Sequence, residues 1–246
     1  MAAFERYFDE VGRLLEGLAA EQGPHIEAAA EVVAECVGRG GIVHVFGSGH
    51  SHMMAEEVFH RAGGLIAFNA MLDVNLTLFG TLRAGWVERT EGYAKVIIAS
   101  FDVRPDEVVV VVSNSGINPV PIELAIEARR LGARVVAITS AANYAAVASR
   151  HSSGQKLGDV ADLVIDSQVP AGDAIVALEG LEANVGPSST VLGAALMNAV
   201  VVEATDRLLR DGKAPPVLVS MNVPGGEERN RALIERYRPR LSLLKG

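Results

Sequence analysis

Three segments of this sequence concentrate small hydroxylated residues, and each lies beside a stretch that is typical of a helix. They are Gly47-Ser48-Gly49-His50-Ser51, Ser113-Asn114-Ser115-Gly116 and Ser188-Ser189-Thr190. The first N–H groups of a helix have no partner within the helix and lie at the positive end of its dipole, so they favour an anion. Serine and threonine hydroxyls add neutral donors. These features predict a site for a phosphate monoester carried on a polar molecule such as a sugar.

Helix capping is the simpler interpretation of any one of these segments, because serine is a common N-cap residue. Three such segments in one chain favour a ligand. A nucleotide is less well supported. Gly47 and Gly49 resemble the start of a dinucleotide fingerprint, but His52 stands where the third glycine is required, and no clear strand ending in an acid lies about 20 residues on. The sequence also has no Gly-Lys-Ser/Thr motif of the phosphate-binding NTPase loop.

Residues suited to proton transfer follow the first segment. His50 lies within it, and Glu57 and His60 lie in a helix predicted from about Ser51 to Ala62. Histidine is the side chain whose ordinary pKa suits acid–base chemistry near neutral pH. We therefore predict Glu57, His60 and His50 as candidate catalytic residues. Alternatively, Glu57 forms a surface or interface ion pair four residues from Arg61, and His60 is a core or interface histidine.

A metal site is a further alternative. His52, Glu56 and His60 recur at every fourth position, so a continuous helix would place them on one face. Such a face can bind zinc if it lines a cavity. The spacing differs from the metalloprotease motif, in which the glutamate directly follows the first histidine. We expect no metal and no cofactor, and the zinc alternative stays open.

Alternating strand and helix patterns must position these residues. Runs rich in valine and isoleucine predict strands buried on both faces, as in a parallel sheet. They lie at 42–46, 108–112, 135–138 and 161–167, and helical patterns flank them. This order indicates an α/β, doubly wound fold with a parallel sheet, in which ligands bind outside the carboxyl ends of the strands. A polar segment around His151 and Lys156 can fold over that pocket, although a solvated loop is the simpler interpretation.

Composition narrows the classes of function. The chain has 246 residues, 49% hydrophobic and 21% charged, with a net charge of -8. That acidity argues against general binding to nucleic acid or to an anionic membrane. The single cysteine, Cys36, rules out an internal disulfide and fits a reducing compartment. The most apolar run, 191–202, is interrupted by Asn198 and is shorter than the ~20 residues that cross a bilayer. We expect a cytoplasmic protein.

No linker divides the chain, so we expect a single domain. Residues 1–38 form a helical extension, 40–225 the core and 227–241 a C-terminal helix. The helix that begins near Pro187 is apolar nearly all round, which predicts burial on all sides. Part of that burial is expected against another subunit, giving a homodimer or a higher homo-oligomer.

Three stretches resemble the sugar isomerase (SIS) domain family of phosphosugar-binding proteins. They are "FGSGHSHMMAEE", "VVSNSGINPVPIELA" and "GPSSTVLGAALMNA". The likeness runs from about Gly40 to the end, and is strongest to an uncharacterised branch related to phosphoheptose isomerases and N-acetylmuramic acid 6-phosphate etherases. It implies a three-layer α/β/α sandwich with a five-stranded parallel sheet. It also implies dimers or tetramers with active sites near subunit contacts.

The resemblance implies that serines and threonines hold a sugar phosphate. The predicted binding residues are Gly47, Ser48, Gly49, Ser51, Ser113, Asn114, Ser115, Asn118, Ser188, Ser189 and Thr190. An aldose–ketose isomerase is the implied activity, with an etherase-like lyase on an amino-sugar phosphate or a non-catalytic phosphosugar sensor as alternatives. The sequence departs from the family pattern at two positions, so the resemblance does not identify the acid and base of the reaction. Ten residues beyond Ser51 stands Arg61 instead of the family's glutamate, and residues 191–209 contain no histidine.

Overall fold

A five-stranded parallel sheet forms the centre of the computed structural model, which describes residues 1–244. Its strands lie in the order β2-β1-β3-β4-β5. They are β1 (Val43–Gly47), β2 (Phe68–Met71), β3 (Val108–Val112), β4 (Arg134–Thr139) and β5 (Leu163–Asp166). Since the order reverses between β1 and β3, the loops that follow these two strands flank one crevice. The predicted α/β fold with five parallel strands is confirmed.

Helices cover both faces of this sheet. They are α1 (Ala3–Glu21), α2 (Gly23–Gly38), α3 (Met53–Val58), α4 (Leu82–Val87), α5 (Tyr93–Ile98), α6 (Pro119–Arg130), α7 (Ala141–Ala146), α8 (Leu157–Val160), α9 (Ser189–Arg210) and α10 (Gly226–Tyr237). One hydrophobic core joins α1, α2, α3 and α9 to the sheet, and a second joins α5 and α6 to its other face. Successive β3 valines enter opposite cores, because side chains alternate along a strand. This explains why β3 is five consecutive buried valines.

The helix predicted from Ser51 to Ala62 is shorter in the structure. A 3₁₀ turn over Gly49–His52 precedes α3, which ends at Val58. Phe59 is then extended and His60 has a φ of +44°. The physical reason is tertiary: residues 63–66 form main-chain hydrogen bonds with residues 216–218, so the chain must leave the helix to reach them. His60 therefore does not share a helical face with His52 and Glu56.

Other boundaries also differ from the sequence-based expectation. Sequence patterns alone did not indicate β2, the short edge strand at 68–71. Two short strands, β6 (Ala174–Val176) and β7 (Val185–Pro187), form an antiparallel hairpin that delays the start of α9 to Ser189. The C-terminal helix α10 spans 226–237 instead of 227–241.

Helix α9 is not covered on all sides in the single chain, since Val191 is 40% and Val202 68% exposed. None of the helices in residues 1–244 is long and apolar enough to cross a bilayer.

A buried polar network lies toward the amino end of the sheet, away from the loops. His44 is fully buried on β1. Its Nε2 lies 3.2 Å from Glu107 Oε2, and its Nδ1 lies 3.1 Å from the Nδ2 of Asn69 on β2. Glu107 also accepts from Arg240 Nη2 at 2.8 Å. The network thus ties the C-terminal segment to the sheet and does not contribute to the crevice.

Candidate functional site

A small, partly open pocket lies at the carboxyl ends of the strands. It brings together residues from all three hydroxyl-rich segments of the sequence. Its lining comprises His50, Ser51, Met54, Val112, Asn114, Ile138, Ser167, Ser189, Thr190 and Gly193. Sequence reasoning did not select Ser167, whose Oγ donates to Asn114 Oδ1 at 3.1 Å. The available signal is its position as the last residue of the strand pattern at 161–167, directly after the observed end of β5 at Asp166.

The loop after β3, residues 113–118 (the β3 loop), presents a row of main-chain donors. Gly116 has a φ of +62°, and its N–H donates to Ser113 Oγ at 3.2 Å. A Cβ at Gly116 would lie 2.9 Å from Thr139 Oγ1, so the turn requires glycine. Within residues 1–244, the N–H groups of Ser115, Ile117 and Asn118 donate to no other residue. Successive N–H groups around a left-handed residue form a concave site that suits an anion.

Helix α6 itself supplies few donors to this loop. Pro119 and Pro121 have no N–H group, and the Val120 N–H donates to the main-chain oxygen of Glu88 at 3.1 Å. An anion here would therefore depend on the loop N–H groups and on the Ser113 and Ser115 hydroxyls. Ser115 is half-buried, and its hydroxyl makes no hydrogen bond within residues 1–244. The N-cap of α6 is Asn118, not Ser115.

Glu88 connects the β3 loop to the loop after β1, residues 48–52 (the β1 loop). Its Oε1 accepts from Ser48 Oγ at 2.5 Å, while its main-chain oxygen accepts from Val120 at the start of α6. Gly47, which precedes the loop, is sterically required because a Cβ there would lie 2.2 Å from Ser51 O. Glu88 is half-buried. No sequence motif indicated Glu88, which lies in the less regular region between β2 and β3.

A carboxylate of the protein already fills the amino terminus of α9. Asp173 in the hairpin accepts the N–H groups of Ser188 and Ser189 at 2.9 and 2.7 Å. It also accepts the Ser189 hydroxyl at 2.7 Å, while the Ser188 hydroxyl donates to the main-chain oxygen of Asp173. Thr190 lines the cavity without being part of this arrangement. Two N–H groups at this end of α9 therefore have an acceptor within the protein, whereas the N–H groups of Thr190 and Val191 donate to no other residue within residues 1–244.

Two of the predicted acid–base residues lie away from the cavity lining. Glu57 Oε1 accepts from Asn198 Nδ2 on α9 at 2.8 Å and is also paired with Arg61, as the ion-pair alternative predicted. His60 follows α3 and is not among the residues that line the cavity. His50 does line the cavity and is exposed. Of the three, only His50 is placed by the structure beside the hydroxyl-rich loops.

The zinc alternative lacks the geometry that it requires. His52 Nε2 lies 3.5 Å from Glu56 Oε1, but His60 has left their helical face. In the part of the chain that the structure describes, the three-residue cluster with ligand atoms within 4.8 Å of one another is Glu91, Glu123 and His151. The two glutamates of this cluster already accept hydrogen bonds from neighbouring residues. Glu91 accepts from Ser152, and Glu123 accepts from the Gly92 N–H. The cluster therefore anchors the segment around Ser152.

Comparisons with known proteins agree with this architecture. The profile of the SIS domain matches residues 6–140. A UPF0309 protein of Listeria innocua is 41% identical over 239 residues, which cover 97% of each chain. Another, from Thermoanaerobacter pseudethanolicus, is 42% identical over 243 residues, covering 97% of this chain and 98% of the relative.

Solved structures share the fold at lower sequence identity. A phosphoheptose isomerase from Francisella tularensis matches with a TM-score of 0.56 at 15% identity, covering 84% of this chain and all of that one. A phosphoheptose isomerase from Neisseria gonorrhoeae matches with a TM-score of 0.50 at 17% identity, covering 81% of this chain and 94% of that one. Given the profile match over more than half of its length and relatives above 40% identity along nearly all of it, this chain belongs to the SIS domain family.

Proposed function

We propose that this protein binds a phosphorylated sugar, with the phosphate held by the β3 loop. The observation that carries the proposal is the set of N–H groups next to Gly116 that donate to no other residue within residues 1–244, with the Ser113 and Ser115 hydroxyls in the same loop. The sugar then lies over the small pocket at the carboxyl ends of the strands, where its hydroxyls meet Ser51, Asn114 and Thr190. The two phosphoheptose isomerases among the structural neighbours are consistent with this ligand class.

The reaction that we propose is aldose–ketose isomerisation of the open-chain sugar phosphate. A base removes the proton from the carbon next to the carbonyl, and an acid protonates the carbonyl oxygen, which gives an enediol. The proton is then added to the former carbonyl carbon. The hydroxyl on the carbon that was first deprotonated loses its own proton and becomes the new carbonyl, which completes the isomerisation. No atom other than hydrogen moves, and no oxidant or reductant is consumed.

Glu88 is our candidate base and His50 our candidate acid. Glu88 lies between the two loops, bonded through its side chain to Ser48 and through its main chain to Val120. His50 borders the cavity from the β1 loop. Glu57 and His60 are less suitable, because Glu57 is engaged by Asn198 and Arg61 and His60 lies beyond α3.

Proton exchange tests binding and reaction together. The protein is incubated in heavy water with a panel of pentose, hexose and heptose phosphates, and the sugar is followed by NMR. An isomerase incorporates deuterium at the carbon next to the carbonyl and interconverts aldose and ketose. Elimination of a substituent would instead identify a lyase, and binding without exchange would identify a sensor. Absence of binding by every sugar phosphate would contradict the proposed function.

We also propose that the protein acts as a single cytoplasmic domain that forms a homodimer through α9. The exposed face of this helix continues into an apolar groove with α1 and α2, lined by Leu15, Ile26, Ala195, Ala199 and Val202. A helix with an apolar outer face is stabilised by covering it. Light scattering at micromolar concentration should give the mass of a dimer or a larger oligomer, and Val202→Glu should shift it toward the monomer. A monodisperse wild-type monomer would contradict this assignment.

A further inference from the structure

Residues 148–156 (the 148–156 segment), which belong to the connection between α7 and α8, lie against the β3 loop. Main-chain hydrogen bonds join them: Arg150 N–H donates to Ile117 O at 2.9 Å, and Leu157, directly after the segment, donates to Gly116 O at 2.8 Å. The segment is anchored on its other side, because Ser152 donates its N–H and its hydroxyl to Glu91 at 2.6 and 2.8 Å. Arg150 is thus held beside the proposed phosphate site by main-chain contacts that do not involve its side chain.

The side chain of Arg150 determines which way the Asn118 amide faces. Its Nη1 donates to Asn118 Oδ1 at 2.8 Å. Arginine has only donors, so the asparagine oxygen must face it and the amide nitrogen must face away. Asn118 is 6% exposed, which limits reorientation toward water. Within the described residues, Asn118 Nδ2 donates to no other group, so both of its N–H bonds stay available beside the loop donors.

Arg150 also brings a positive charge to a site whose own segments contain none. The three hydroxyl-rich segments contain no lysine or arginine. Among the ion pairs of residues 1–244, none includes Arg150. The acids that contact the 148–156 segment have other partners: Glu91 accepts from Ser152, and Glu123 accepts from the Gly92 N–H and lies 3.6 Å from His151 Nε2. The guanidinium therefore keeps most of its N–H donors for an anion, and a phosphate dianion matches its planar fork.

We propose that Arg150 is the specificity-determining residue for the phosphate group of the ligand. Arg150 orients the Asn118 amide so that its N–H bonds face the ligand. It also supplies a positive charge that attracts a phosphate group but not a sugar without one. This inference rests on the proposed function, since it assigns a role within the same site.

Titration with inorganic phosphate tests Arg150 separately from the sugar. Arg150→Met removes the charge and the bond to Asn118, and should weaken phosphate binding by about tenfold or more, the range for a hydrogen bond to a charged group. Arg150→Gln keeps a donor for Asn118 but not the charge, so an intermediate loss is expected. Arg134→Met is the matched control, because Arg134 is exposed at the amino end of β4 and carries the same charge. This control should bind phosphate like the wild type.

The outcomes separate the two proposals. If the wild type binds no phosphate, or if Arg150→Met or Arg150→Gln binds it as well as the wild type does, the role of Arg150 is overturned. An equal loss in Arg134→Met would also overturn it, because net charge alone would then explain the effect. If every variant behaves as expected but no sugar phosphate binds, the role of Arg150 stands and the proposed function fails. Should Arg150→Met not fold, as judged by circular dichroism, the comparison of Arg150→Gln with Arg134→Met decides.

Discussion

The carboxylate of Asp173 lies at the amino terminus of α9, where Ser189 donates both its N–H and its hydroxyl to it at 2.7 Å. The hairpin residue thereby takes the place that an anion would take at this helix end. Asp173 has a φ of +67°, a backbone conformation that L-residues seldom adopt, and its carboxylate reaches α9 from this conformation. At 188–190, the hydroxyls and N–H groups of Ser188 and Ser189 thus have an acceptor within the protein, whereas the N–H groups of Ser115, Ile117 and Asn118 in the β3 loop have none within residues 1–244.

Replacement of Asp173 should therefore affect stability more than binding. Asp173→Ala removes the acceptor for four donors, the N–H groups and hydroxyls of Ser188 and Ser189. We expect the free energy of unfolding in urea to fall by about 1–2 kcal/mol, as for loss of a helix cap. Asp173→Asn keeps an oxygen acceptor and tolerates positive φ, so its loss should be smaller. Affinity for sugar phosphate should be unchanged in both variants. A selective loss of affinity in Asp173→Ala with unchanged stability would show that this residue belongs to the ligand site.

Replacement of Glu88 should affect the chemistry. Glu88→Gln keeps a hydrogen-bonding group for Ser48 but cannot accept a proton as a carboxylate does. We expect the rate of deuterium incorporation into the sugar to fall by about 10²- to 10⁴-fold, the usual contribution of a general base, with a small change in KM.

Glu57→Gln is the matched control for this experiment. Its side chain contacts Asn198 and Arg61 instead of the two loops, so exchange should continue at close to the wild-type rate. If Glu57→Gln abolishes exchange and Glu88→Gln does not, the assignment of the base is reversed.

Acid stability should depend on Glu107. Burial acts to raise the pKa of this carboxyl, but hydrogen bonds from His44, the Arg104 N–H and Arg240 together hold its pKa below the ordinary value of 4.5. A depressed pKa in the folded state means that the unfolded chain binds the proton first as the pH falls. Glu107 therefore contributes stability above pH 4.5 and loses that contribution progressively below it.

The variant Glu107→Gln tests this linkage. Removal of one partner of a buried ion pair is destabilising, so the variant should be less stable in urea at pH 7. Because Arg240 keeps its ion pair with Asp102 at 2.9 Å, the loss should be smaller than the about 3–5 kcal/mol typical of a fully unpaired buried charge. Its unfolding free energy should also fall less steeply than that of the wild type as the pH drops below 4.5. Parallel acid profiles for the two proteins would mean that Glu107 does not have a depressed pKa in the folded state.

Much of the fold could be predicted from the sequence because its central strands have a strong local signal. The valine run 108–112 is buried on both faces and therefore has no polar alternation. The edge strand β2 has only four residues, including Asn69, and gave no comparable signal. The helix after the β1 loop was overestimated, since pairing of residues 63–66 with 216–218 ends it, and such long-range contacts leave no periodic pattern.

The candidate site was predictable to the extent that its residues directly follow strands. Ser51 and Asn114 meet in the cavity for this reason. Glu88 and Arg150 could not be found in this way, because each is far in sequence from its partner in the loops. Glu88 is 40 residues from Ser48, and Arg150 is 32 residues from Asn118. Conversely, the His52, Glu56 and His60 pattern is regular in sequence but is broken by the backbone at Phe59 and His60.

The most direct test of phosphate binding at the β3 loop is calorimetric titration of the wild type and Ser115→Ala with one sugar phosphate and with the same sugar lacking phosphate. Ser115 is half-buried and does not cap α6, so its replacement should leave the melting temperature within about 2 °C. We predict that the wild type prefers the phosphorylated sugar and that Ser115→Ala binds it about ten- to a hundredfold more weakly. Equal affinity in the two proteins, with a lower melting temperature for Ser115→Ala, would contradict the account.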